Sequence, residues 1–244
     1  MLDPSLAGHL TFVPNASTLR EPPLPPGRHA LNLFDGRDAY LVVPEGLDPA
    51  APSPLMVLFH GGGGHAEKIL PMMEHHALSQ GFLLLVPQSR YPTWDIVIAG
   101  NGPDRERLDM ALSAVNARYR LDPTHLCFAG HSDGGSYALS LGLTNGQFVT
   151  HIIVSSAGFM SVHHQEGAPR IFMSHGLQDT QIPIDRSARK HSAVLKQAGY
   201  DITYMEYNGP HAWQPPVVAL SVSFFLSEPS PGGALLDGMS AYQS

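Results

Sequence analysis

The sequence predicts an α/β domain built on a mostly parallel central sheet with helices on both faces. Two observations carry this. Short apolar runs are hydrophobic at every position, as strands buried on both faces must be, and they alternate along the chain with longer segments of helical period. A third concerns size: 244 residues accommodate one large α/β domain without forcing two.

The elements follow in order. Residues up to about 27 are rich in proline (Glu21-Pro22-Pro23-Leu24-Pro25-Pro26-Gly27) and poor in periodic apolar positions, so 1–28 reads as an extended arm lying over the domain. Residues 29–34 and 39–43 flank the turn signal Asp35-Gly36-Arg37 and read as a hairpin. A strand is expected at 55–59, then a helix over 65–80 interrupted by Pro71, and a strand at 82–86. A helix over 104–119 opens at Pro103 and stops before Asp122-Pro123. The strand 126–129 leads into a small-residue helix that starts with residues 136–141, followed by strands at 152–155 and 171–174. A helix over 184–198 is stopped by Gly199, and the strand 202–207 precedes a final helix over 216–226. The catalytic domain is thus expected to span 29–228, with a loosely held tail over 229–244.

Composition narrows the function classes. Hydrophobic residues make up 43% of the chain, enough for a substantial core, and the net charge is -7. No basic stripe suggests nucleic acid and no polybasic segment suggests an anionic membrane surface. No stretch approaches the ~20 apolar residues of a membrane span, and Met1-Leu2-Asp3-Pro4 has neither the basic nor the apolar region of a secretory signal. A cytoplasmic location is expected, without stable membrane insertion. The one cysteine, Cys127, falls inside an expected strand and reads as a buried thiol.

The chemistry concentrates where strands end. Gly130-His131-Ser132-Asp133-Gly134 fits the Gly-x-Ser-x-Gly turn between a strand and a helix. There a serine is held in a strained backbone with its hydroxyl projecting, while the flanking glycines let strand and helix approach. A base and an orienting carboxylate are then required. Asp179 follows the strand at 171–174, in His175-Gly176-Leu177-Gln178-Asp179. His211 follows the last strand, in Gly209-Pro210-His211-Ala212-Trp213. His151, His163, His164 and His175 are less well placed to serve as the base. An oxyanion needs two backbone N–H donors. One is expected from Asp133, and the other from Gly62, with Gly61 or Gly63 beside it, in His60-Gly61-Gly62-Gly63-Gly64-His65.

Two rival readings of these segments are weak. Gly61-x-Gly63-x-x-Ala66 loosely matches a dinucleotide fingerprint, but the acidic ribose ligand expected ~20 residues later is absent. Glu74-His75-His76 lacks the i, i+4 spacing of a zinc pair on a helix. No cofactor and no metal site are expected.

Taken together, the four motifs resemble the phospholipase/carboxylesterase branch of the α/β-hydrolase superfamily. That branch is similar to acyl-protein thioesterases, dienelactone hydrolases and polyhydroxybutyrate-depolymerase-like esterases. The resemblance covers roughly residues 29–226. It implies an α/β-hydrolase fold without a large cap domain, and a serine hydrolase acting on a small-molecule ester through Ser132, His211 and Asp179. The chain departs from the family at Asp133, where a neutral residue is common. A carboxylate aimed at a developing oxyanion would oppose it, so the side chain is expected to turn away and bond locally. Dienelactone hydrolases typically carry a cysteine where this chain has Ser132, which points to esters.

Short to medium acyl or aryl groups are expected, because residues 158–169 form only a short connection and no cap is evident. Trp94, Phe159 and Trp213 are the expected substrate contacts, with the mouth bordered by residues 91–95 and 159–160. The alternatives are a peptidase or acyltransferase using the same triad, or a noncatalytic binding protein on the same fold.

Overall fold

Eight strands form one sheet in the computed structural model, which describes residues 8–14, 19–98 and 102–228. They are β1 (Gly27–Ala30), β2 (Tyr40–Val43), β3 (Ser53–Phe59), β4 (Leu83–Val86), β5 (Leu121–His131), β6 (His151–Ser155), β7 (Arg170–Gly176) and β8 (Ile202–Tyr207). Their order across the sheet is β1-β2-β4-β3-β5-β6-β7-β8. The β1–β2 and β2–β4 pairs are antiparallel, and every other pair is parallel. The helices are α1 (Ala66–Gln80), α2 (Asp95–Ile98), α3 (Pro103–Asn116), α4 (Asp133–Thr144), α5 (Ala188–Gln197) and α6 (Pro215–Leu226).

Strand alternation divides the apolar residues between two cores. Leu55, Val57 and Phe59 of β3 face the side covered by α3, α4 and α5, with Leu112, Leu139 and Leu195 packed there. Met56 and Leu58 face the opposite side, against Leu70 and Met73 of α1 and Val218 and Val222 of α6. A one-residue slip of β3 would exchange these sets, so burial on both faces fixes its register against Leu126–Gly130 of β5.

Several boundaries differ from those expected. Pro71 lies inside an unbroken α1. It sits on the exposed face, where water can hydrate the carbonyl left without a partner. The N-terminus of α1 lacks a side-chain cap from His65, and the Gln88 amide oxygen accepts the Ala66 N–H at 2.8 Å instead. Strand β5 starts at Leu121 rather than 126 because its register shifts: Ser53 faces Leu121, but Leu55 faces Leu126. The bulge between them absorbs Asp122-Pro123, where proline's missing donor does no harm.

The described part of the N-terminal segment lies on α3 and α4. The Asp109 carboxylate accepts the Thr11 and Phe12 N–H groups, and Leu10 and Phe12 are buried in the core. Further along, the Tyr119 hydroxyl accepts the Leu24 N–H at 2.9 Å. The expected tail over 229–244 lies outside the described residues.

Candidate active site

Ser132 stands between β5 and α4 with φ 58° and ψ -125°, a conformation that an L-residue adopts only when its surroundings impose it. Here the cause is close packing. A Cβ on Gly130 would strike the backbone of Gly134, and a Cβ on Gly134 would strike the carbonyls of Phe59 and His60. Two backbone bonds fix the turn: Ser132 N–H donates to the Ser155 carbonyl, and Ser136 N–H donates to the Ser132 carbonyl, each at 2.9 Å.

Ser132, His211 and Asp179, each from the carboxyl end of a different strand, meet in a hydrogen-bonded chain. His211 Nε2 is 2.9 Å from Ser132 Oγ. On the other side of the ring, His211 Nδ1 is 2.6 Å from Asp179 Oδ2. Since a carboxylate only accepts, Nδ1 carries the proton and Nε2 is left to face the hydroxyl. The Asp179 side chain is fully buried, and its Oδ1 accepts the Gln181 and Ile182 N–H groups at 2.9 Å each. Burial works against its ionisation, but the bonds from Ile182, His211 and Gln181 outweigh this and hold its carboxyl below the usual range.

Two further histidines border the chain. His175 Nε2 lies 3.2 Å from Asp179 Oδ2 and 3.0 Å from the Ile182 carbonyl, so its N–H points between two acceptors. The His131 ring packs 4.7 Å from the His211 ring. Burial, then the neighbouring His211, pushes its pKa down to about 4, which keeps it neutral beside the base. The sequence flagged His175 only as a rival of His211, since strand-end position cannot tell which atom a ring contacts.

The glycine loop after β3 is tightly wired. Gly63 N–H donates to the Pro92 carbonyl at 2.7 Å, and Gly64 N–H donates to the Gly61 carbonyl at 3.0 Å. The N–H groups of Gly61 and Gly62 have no partner among the described residues, and Gly61 and Gly62 are the glycines beside Ser132 and Asp133. The Asp133 carboxylate accepts the Thr93 hydroxyl at 2.6 Å rather than a bond within its own turn, and its Oδ2 lies against Gly62, where a Cβ would strike it.

Two of the three expected substrate contacts need correction. Trp94 is 1% exposed. Its indole N–H donates to the His60 carbonyl at 2.7 Å, and its ring stacks on Tyr137 at 4.7 Å. Trp213 is likewise buried, against α6 and the core on that side. Both are interior packing residues: Trp94 is held by its bond and its stacking, whereas Trp213 is buried by apolar contact alone, its indole N–H without a partner among the described residues. Phe159 is half-buried at the start of the β6–β7 connection, where Gly158 N–H donates to Ser136 Oγ at 2.9 Å. That connection carries no helix among its described residues, so no large cap stands over the carboxyl edge there.

Sheet order, strand-turn-helix geometry and similar solved structures together define an α/β-hydrolase fold. The fluorophosphonate-binding serine hydrolase F of Staphylococcus aureus superposes with a TM-score of 0.66 over 84% of this chain and 100% of its own, at 14% identity. A thermophilic esterase of Thermogutta terrifontis, solved with butyrate bound, gives 0.62 over 82% of this chain and 91% of its own, at 16% identity. In sequence the chain is similar to feruloyl esterase C of Emericella nidulans, with 26% identity over 165 residues. That match takes in 64% of this chain and 60% of the relative's length. No family model matches the chain.

Proposed function

We propose that this protein is a serine hydrolase that cleaves carboxylic esters of short to medium acyl or aryl groups, with residues 29–228 as its catalytic domain. The observation that carries the proposal is the Ser132–His211–Asp179 chain, at 2.9 and 2.6 Å, with Ser132 on a strained turn. A sequence relative named as a feruloyl esterase and a structural neighbour solved with butyrate support ester chemistry on aryl and short acyl groups.

In this reading Ser132 Oγ attacks the ester carbonyl carbon while His211 Nε2 takes the hydroxyl proton. Asp179 holds the ring and stabilises the imidazolium. The carbonyl oxygen becomes an oxyanion facing the N–H groups of Gly62 and Asp133. Gly62 suits this role because Gly63 spends its N–H on Pro92. Collapse expels the alcohol, which receives its proton from His211. Water, deprotonated by the same ring, then attacks the acyl-enzyme and releases the acid. Phe159 is the remaining aromatic candidate for contact with the acyl group. Among the described residues no helix is long and apolar enough to cross a membrane, and a cytoplasmic location fits a chain whose one cysteine is a buried thiol.

Labelling the full chain with a fluorophosphonate probe tests the reading, followed by matched ester, thioester and amide substrates. The expected result is stoichiometric labelling that Ser132→Ala abolishes, and turnover led by butyrate-sized esters. Labelling that survives Ser132→Ala, or amide turnover exceeding ester turnover, overturns it.

A further inference from the structure

We infer that His9, His164 and Glu166 form a zinc-binding site that fastens the N-terminal segment to the β6–β7 connection. Each of the three offers one ligand atom, and these atoms all lie within 4.8 Å of one another. His164 Nε2 and Glu166 Oε1 are 3.5 Å apart, and the His9 and His164 ring centroids are 5.5 Å apart at 37°.

Zinc geometry can be compared directly with these values. Bonds of ~2.0–2.1 Å at tetrahedral angles place neighbouring ligand atoms about 3.4 Å apart, and the centroids of two coordinated imidazoles roughly 5.2 Å apart. The His164–Glu166 edge and the ring separation already match. The widest pair needs to close by at most about 1.4 Å, a distance that rotation of the half-exposed His164 and Glu166 side chains covers. An ion pair explains His164 beside Glu166, but leaves the convergence of His9 on the same point unexplained.

The backbones that carry the donors are held independently of any metal, and by the same end of α4. The Asn145 side chain accepts the Leu10 N–H and donates to the Gly8 carbonyl, each at 2.9 Å, so it clamps both neighbours of His9. Glu166 N–H donates to the Leu143 carbonyl at 3.0 Å, and Gly167 pairs with Gly146. Ligands from segments far apart in sequence therefore meet over one helical turn without loop-closure entropy left to overcome. The nearby Arg105 guanidinium is engaged with the His9 carbonyl at 2.8 Å. Two imidazoles and one carboxylate suit zinc, with water completing the coordination.

The test is a titration of the full chain with Zn2+ against a chromophoric chelator, with thermal midpoints measured alongside. Wild type should bind a zinc equivalent that His9→Ala and His164→Ala each weaken by tenfold or more. Its midpoint should rise with zinc, whereas those of the two variants should not. His75→Ala, an exposed histidine on α1, should behave as wild type. Equal zinc affinity in wild type and in His9→Ala/His164→Ala, or no uptake by wild type, overturns the inference. So does a loss caused by His75→Ala in place of the other two.

Discussion

Thr93 Oγ1 donates to Asp133 Oδ2 at 2.6 Å, and this bond draws the carboxylate of the residue after Ser132 towards the 91–95 loop. An amide in its place can still accept that hydroxyl, and it leaves the Asp133 N–H untouched. Asp133→Asn should therefore keep ester turnover within about fivefold of wild type, the equivalent of ~1 kcal/mol for one altered hydrogen bond. A loss as large as that of His211→Ala would give the carboxylate a direct role and defeat the proposed one.

Ser132→Ala should lower ester turnover by roughly 10⁴–10⁶ with the fold retained, since a triad acts as a unit. Adding His211→Ala should then cost little more. Circular dichroism and steady-state rates on the single and double variants check this. Near wild-type turnover in folded Ser132→Ala would refute the nucleophile assignment.

Asp179 holds the His211 ring with Nδ1 towards itself and Nε2 towards Ser132. Burial works against ionisation of its carboxyl, but the bonds it accepts hold it below the usual carboxylate range, so it is ionised at neutral pH. Asp179→Asn should cut kcat by about 10⁴ by leaving the ring in the wrong tautomer. An unchanged rate in Asp179→Asn would show that another carboxylate serves.

Stability should fall separately with acid. Burial lowers the pKa of His60 to about 4 and that of His151 to about 3. Both lie under the unfolded value of ~6.5, so the unfolded chain takes up protons that the native state refuses. Their contribution is complete above about pH 6.5 and is lost progressively as pH falls towards the folded values, on the order of 3 kcal/mol for His60 alone. Urea midpoints measured at several pH values between 7.5 and 5 should decline. A flat series would mean that these rings are hydrated.

Trp94→Ala should destabilise by ~3–5 kcal/mol, because it removes a buried indole and leaves the His60 carbonyl without its donor. Denaturant midpoints read this directly. A change in KM with stability intact would return Trp94 to the pocket wall.

The fold was legible because burial on both faces makes each strand a continuous apolar run, and because parallel connections carry helices that the period exposes. The meeting of Ser132, Asp179 and His211 was legible for a related reason: parallel strands put their carboxyl ends on one edge, so position relative to a strand end sufficed. Trp94 and Trp213 were misplaced because an aromatic residue beside a strand end reads the same whether it faces a cleft or the core. Thr93 carried no signal, being one hydroxyl in a loop. His9 and His164 have no shared period or spacing, and only the clamping of both segments at the end of α4 brings them together.

The loops that carry Asp179 and His211 are bonded to each other along their backbones. Leu177 N–H donates to the Tyr207 carbonyl at 2.8 Å, and Gln178 N–H donates to the Gly209 carbonyl at 2.9 Å. Gly176 passes so near that a Cβ there would press on the Gly209 and Pro210 carbonyls. Asp179 and His211 are thus mounted on one stiff plate, whereas Ser132 belongs to the β5–α4 turn. Any breathing of the edge would vary the Ser132–His211 distance and leave the His211–Asp179 distance fixed. In the proposed mechanism, the contact that a proton must cross is therefore the one without backbone bonds between the segments that carry its two partners, among the described residues.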